Sequence, residues 1–173
     1  MLDNKYSNIA LTPEAKKYIE YINFHRNNVE KARKLIGDRL CKELLVNPDQ
    51  LEKIVSIHDM SRFGPEEFYP WCQKKFPAKN STADDALYQI AKSHHWMVNY
   101  HHPEHWVYMD GTVKPMENIY IAEMFCDWTS EVVFEDHEHV KDWYYKTMND
   151  KPFVFAVETQ RKIEKILKLG FMP

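Results

Sequence analysis

The chain has 173 residues, 44% hydrophobic and 14% aromatic, which suits one folded domain over residues 1–173 with its own core. A formal charge of -3 provides no basic field for gripping a phosphate backbone, so extended nucleic-acid binding is not expected and a small-molecule partner is. Four glycines in 173 residues argue against a turn-rich all-β protein, and the expected class is all-α.

The opening residues, MLDNKYSNIALTPEAKK, lack the apolar run of a signal peptide, and no stretch approaches the roughly 20 apolar residues of a membrane span. Cys41, Cys72 and Cys126 are odd in number and unpaired in spacing, which fits reduced, buried thiols rather than a disulfide framework or zinc ribbon. The expected setting is cytoplasmic, away from the membrane.

Thr12 and Pro13 read as N-cap and first residue of a helix to about Leu35. Its apolar stripe, Tyr18, Ile22, Val29, Ala32 and Ile36, takes in His25 at steps of three and four, so this histidine faces inward. Gly37 is expected to interrupt, with a short helix from Asp38 to Val46 after it. Asn47, Pro48 and Gln50 form a capping-box start for another helix, on which Leu51, Ile54, Val55 and His58 share a face. Asp59 follows at that helix's end, where both side chains can turn toward one point. Pro65 opens a helix through about Phe76 that buries Phe68, Trp71 and Cys72, and Ser81 with Asp84 caps the next, Thr82 to Tyr100.

The stretch from Ser93 to Trp106, SHHWMVNYHHPEHW, holds five of the nine histidines. So many imidazoles, which bind metals and titrate near neutral pH, point to a metal site rather than to packing. Leu87, Ala91, His94 and Val98 lie on one register, while Ala91, His95 and His102 share another side, so periodicity leaves the inward member of each pair open. Pro103 disfavours helix at His102. Residues Trp106 to Lys114, with Asp110 and Gly111, read as a turn or small hairpin. A helix from Pro115 to about Thr129 carries Met116, Tyr120, Glu123 and Asp127 on one stripe, and its two carboxylates need partners if buried. A helix from Glu135 to Met148 places His137 and His139 on a solvated surface. The last helix, Pro152 to about Leu169, ends at Gly170 with a basic outer face.

In chain order the donors are His25, His58 with Asp59, the histidine pairs, and Asp127, a nitrogen and oxygen set suited to Mn, Fe, Co, Ni, Zn or Mg. His25, Val29 and Ala32 followed by Ile57, His58, Asp59, Met60, Ser61, Arg62 and Phe63 resemble the HD superfamily of metal-dependent phosphohydrolases. That family's pattern is a lone His, a His-Asp pair with a basic residue three places on, and a distant Asp, here His25, His58, Asp59, Arg62 and Asp127. From about Tyr18 to Trp128 the chain also resembles a short bacterial and phage family of unknown function, through HDMSRFGPEEF, the HH pairs flanking Asn99, and EMFCDW. Arg62 stands where lysine is usual there, which keeps charge but changes hydrogen-bond geometry.

The resemblance implies a helical bundle of about seven or eight helices, with one divalent ion held by His25, His58, Asp59 and Asp127. It also implies room for a second ion beside Asp59, with His95 and His102 assigned to it and His94 and His101 as competitors. Glu123 is either a support for a metal-bound histidine or a solvated carboxylate. The implied activity is hydrolysis of a small phosphorylated substrate, a nucleotide foremost, by metal-activated water. Asp59, Arg62 and Glu67 are the candidate catalytic residues; Arg62, Asn99 and Trp96 are the candidate substrate contacts. Trp71, Trp106 and Trp128 are further rings that can stack on a base, Glu66 is an alternative to Glu67, and His105 belongs to a pocket or the surface. The rival expectations are an HD-like di-iron oxygenase and a non-catalytic module that keeps its metal as a structural clip. The sequence leaves the oligomeric state open.

Overall fold

A computed structural model of the chain describes residues 12–134 and 138–173. Among these residues are seven α-helices and no strand, only one isolated antiparallel bridge, Val107 with Val113. The protein is an all-α helical bundle.

The first helix, α1 (Pro13–Leu44), starts as its sequence dictates: Pro13 fixes the first turn and the Thr12 hydroxyl accepts from the Ala15 amide at 3.2 Å. It does not break at Gly37, so the separate helix expected from Asp38 to Val46 is the continuation of α1. The glycine serves packing instead: a Cβ there would sit 3.5 Å from Leu51 Cδ2 and 3.3 Å from Arg33 Cγ, so its absence lets the next helix lie close. Leu45, in the left-handed region at φ 56°, ends the helix by donating its amide to the Cys41 carbonyl.

The second helix, α2 (Pro48–Ser56), is capped by the Asn47 side chain on the Asp49 amide at 2.8 Å, and buries Leu51 and Val55. A 3-10 turn over Met60–Phe63 leads to α3 (Phe68–Lys75), which begins later than Pro65 because 64–67 form a turn of their own. Helix α4 (Asp85–Val98) is shorter than expected at both ends. Asp84 caps it, accepting from the Ala86 and Leu87 amides, whereas the Ser81 hydroxyl donates to the Ala78 carbonyl. A second 3-10 turn (Pro103–Trp106) and the bridged turn around Asp110 and Gly111 follow.

Helix α5 (Asn118–Phe134) is shifted relative to the expected one; Met116 precedes it, buried, with its amide on Thr159 Oγ1 at 2.8 Å. Residues 121–130 are buried without a break, the mark of a helix enclosed on all sides. Its most extensive packing is against α1. Two further helices, α6 (Val140–Asp150) and α7 (Val157–Lys168), complete the bundle, each beginning about five residues later than the sequence suggested. Glu135 and His137 lie outside the described residues; His139 is exposed just before α6. Cys41, Cys72 and Cys126 are free and buried, and no helix among the described residues is long and apolar enough to cross a membrane.

Candidate metal centre

Enclosure of α5 forces Glu123 and Asp127 into the interior, one turn apart on one face. Helix α1, packed on that face, brings His25, and the end of α2 brings His58 and Asp59; all three are buried. Asp59 is held at φ 54°, a left-handed conformation that an aspartate tolerates at some cost. Arg26 pins this corner, donating from Nε to the His58 carbonyl at 2.9 Å and from Nη2 to the Ser56 carbonyl at 2.6 Å. Arg26 was missed at the sequence level, although its place one residue after His25 put it on the helix that meets the His-Asp pair.

The donor atoms converge. His25 Nε2 lies 3.1 Å from Asp127 Oδ1 and 3.3 Å from His58 Nε2. His58 Nε2 lies 3.4 Å from Asp127 Oδ1 and 3.7 Å from Asp59 Oδ1. A metal about 2.1 Å from each ligand places neighbouring ligands roughly 3.0–3.4 Å apart, close to these separations. His58 donates from Nδ1 to Glu123 Oε1 at 3.0 Å, which fixes the ring with Nε2 aimed inward, the atom that would meet a metal once its proton is displaced. Glu123 is therefore not a solvated carboxylate: it holds the candidate ligand His58, and its Oε1 lies 3.4 Å from His101 Nδ1 as well.

The histidine-rich stretch supplies the other side of Asp59. His95, on the last turns of α4, and His101, in the turn after it, are 1% and 2% exposed and place Nε2 3.4 Å and 3.6 Å from Asp59 Oδ1. Asp59, His95, His101 and His102 form one group that could hold a metal, His25, His58 and Asp59 form another, and His101 also groups with His58 and Asp127. Asp59 belongs to the first two. Of the two histidine pairs, three members thus reach the centre, His101 included. His94 stays out of these groups: half-buried, it donates from Nδ1 to Glu67 Oε1 at 2.8 Å.

Glu67, fully buried, accepts from His95 Nδ1 at 2.8 Å with its second oxygen, so each of its oxygens holds a histidine. Arg62 pairs with Asp59 itself, Nε to Oδ2 at 2.6 Å, rather than with Glu66 or Glu67, and its guanidinium lies over the Trp71 ring at 4.3 Å. Asn99 donates to the His95 carbonyl and to Ser61 Oγ, both at 2.8 Å, and so ends α4.

Burial opposes ionisation throughout this cluster, yet the neighbours prevail. Against burial, Arg62 and the surrounding histidines hold Asp59 well below the usual carboxylate range, and His25 and His58 do the same for Asp127. Against burial, Asp59, Asp127 and Glu123 raise His58 well above an ordinary histidine. For His102, burial and repulsion from His101 and His95 act together and depress it. Asp59 Oδ1, His101 Nε2 and His102 Nε2 are buried without a hydrogen-bond partner among the described residues. Such atoms are costly unless something satisfies them, and all three sit in the same donor group, so the residues fit a metal.

A cavity of about 240 Å³ opens beside the centre, lined by His25, Asp59, Arg62, His101, His102 and Asp127 together with Trp96, Glu104, Trp128 and Glu131. Asn99 is absent from this lining, as are Glu67, Trp71 and Trp106. Trp106 donates to the Tyr100 carbonyl, and His105 Nδ1 donates to the Met97 carbonyl at 2.7 Å. Glu131, exposed, groups with His25 and Asp127 as a further possible ligand. It was overlooked in the sequence, where its signal is the four-residue spacing of Glu123, Asp127 and Glu131.

The model of a family of unknown function (DUF5662) matches residues 14–169. The chain belongs to this family. No curated protein and no solved structure matches it. The DUF5662 match spans every residue of the candidate metal centre, from His25 to Glu131, and its description names no activity.

Proposed function

We propose that this DUF5662 chain is a metal-dependent phosphohydrolase acting on a small phosphorylated substrate, with nucleotides the first class to test. One observation carries the reading: a single buried carboxylate, Asp59, belongs to two groups of nitrogen and oxygen donors and lines a cavity together with His25, His101 and His102. Paired divalent ions bridged by a carboxylate suit displacement at phosphorus, and the donors suit Mn, Fe, Co, Ni, Zn or Mg. A metal bound there supplies a water acidified toward neutrality and positive charge against the phosphoryl oxygens.

The chain's own residues do the rest. Glu123 and Glu67 orient His58 and His95 through their Nδ1 atoms. Arg62 fixes Asp59 and brings a second positive charge to the cavity wall, where it can meet a phosphoryl oxygen. Trp96 presents a ring to the cavity on which a base can stack. The resemblance to the HD superfamily points the same way, and the reduced, buried thiols suit a cytoplasmic setting.

Elemental analysis of the purified protein, followed by a nucleotide and phosphoester panel with the metal found, tests the proposal. Turnover that disappears on chelation is expected; a metal-loaded protein that hydrolyses nothing in the panel would overturn it. The histidine-rich group around Asp59 also favours one rival, a di-iron oxygenase. Two irons per chain with a visible charge-transfer band and no phosphatase activity would select that rival.

A further inference from the structure

A second cavity, of about 590 Å³, adjoins the metal cavity, and the two share Trp96, Pro103, Glu104 and Phe153 in their walls. Its volume lies within the range of sites that take small molecules. Away from the shared wall Val107, Pro152 and Val154 give it an apolar surface, and Lys92, Thr147 and Lys151 complete the lining. At the junction, Lys92 Nζ sits over the Trp96 ring, 4.6 Å from its centre. Glu104 Oε2 interrupts the apolar surface: it is buried and has no hydrogen-bond partner among the described residues. A buried carboxyl oxygen in that state is satisfied when a ligand brings an N–H or O–H to it.

We propose that the second cavity is the leaving-group subsite, and that it takes an aromatic group bearing an N–H or O–H donor. This rests on the phosphohydrolase reading for the reacting end. A substrate whose phosphoryl group lies against Asp59 and Arg62 extends past Trp96 and Glu104, the wall the two cavities share, into the larger one. There its ring packs on Trp96 or Phe153 and its donor meets Glu104. In the reaction, water's oxygen bonds to phosphorus and the P–O bond to the leaving group breaks. The electron pair stays on the leaving oxygen, which takes one of water's protons and departs as an alcohol from an ester or as a phosphate from an anhydride. Glycerol phosphate or pyrophosphate would leave the second cavity empty and Glu104 unsatisfied, so the preferred substrates are esters or anhydrides with a large aromatic leaving part.

The test compares adenosine 5′-phosphate with glycerol 1-phosphate on the metal-loaded protein, and measures binding of adenosine alone by equilibrium dialysis. The variants are Val154→Trp, which fills the second cavity from an exposed wall position, and Glu104→Gln. The wild type is expected to bind adenosine, and Val154→Trp is expected to weaken that binding about tenfold or more and to lower the ratio of kcat/KM for adenosine 5′-phosphate over glycerol 1-phosphate by a similar factor. Glu104→Gln is expected to weaken adenosine binding by about three- to tenfold. Unchanged adenosine binding and an unchanged ratio in Val154→Trp would overturn the subsite while leaving the phosphohydrolase reading intact. If the wild type hydrolyses neither ester, adenosine decides the subsite alone: binding that Val154→Trp weakens supports it, and no binding overturns it.

Discussion

The two sides of Asp59 offer the same kind of ligand on different supports. His25, His58 and Asp127 stand on α1, at the end of α2 and on the enclosed α5, whose mutual packing makes the main core. His95, His101 and His102 stand on the last turns of α4 and on the irregular segment after it. Long packed helices fix a donor by their register, whereas a turn needs a second residue to hold it, as Glu123 Oε1, 3.4 Å from His101 Nδ1, does for the turn after α4. The first side is accordingly the anchor of the centre and the second its extension.

Replacing the shared residue should have the largest effect. Asp59→Ala is expected to abolish both metal binding and activity, and to destabilise the protein by about 3–5 kcal/mol because Arg62 is left buried beside no carboxylate. Metal analysis and thermal unfolding read both; Asp59→Ala protein with its full metal complement would remove Asp59 from the centre. Single losses on either side should then separate the supports. His58→Ala should empty the whole centre, while His95→Ala should cost one equivalent of metal and leave the α1–α2–α5 side loaded. Equal losses in the two variants would erase the distinction between anchor and extension.

The supporting carboxylates come next in size. Glu123→Gln and Glu67→Gln should each weaken metal binding about 10–100-fold, the first at the anchor through His58 and also, through His101, at the extension, the second at the extension alone. Titration with a metal-sensitive dye distinguishes this from no change, which would reduce both carboxylates to structural roles. The smallest expected effect is on pH dependence. In the metal-free protein His58 is raised, so a metal entering the anchor displaces its proton, and affinity should climb with pH through neutrality until His58's own pKa is passed. The slope for one displaced proton is about tenfold per pH unit. His102 is depressed and neutral over the same range, so it adds no such slope to the extension. A flat affinity profile for the anchor would contradict the carboxylate environment assigned to His58.

The anchor was legible in the sequence and the extension only in part, for the same physical reason. His25 and Asp127 lie on apolar stripes of long helices, where a three-four spacing states which way a side chain points. His58 and Asp59 sit just past α2, close enough for the helix face to carry over one more residue. The histidine pairs straddle the end of α4 at Val98, and once the helix ends its register no longer predicts the direction of His101 or His102. The left-handed turn at Asp59, the Arg26 clamp and the grip of Glu67 on two histidines are contacts between elements, and no local pattern announces them. The continuity of α1 through Gly37 was hidden similarly, because the space that glycine provides is filled from α2. What composition and periodicity did convey was the all-α bundle and the inward-facing donors on its longest helices.

The central claim is that Asp59 bridges two neighbouring cation sites. A crystal structure of the manganese-loaded protein, phased on the metal's anomalous scattering, tests it most directly. The account predicts two peaks about 3.5–4 Å apart, one among His25, His58 and Asp127, one among His95, His101 and His102, with Asp59 touching both. A single peak that Asp59 does not contact, or two peaks too far apart for one carboxylate to span, would contradict it.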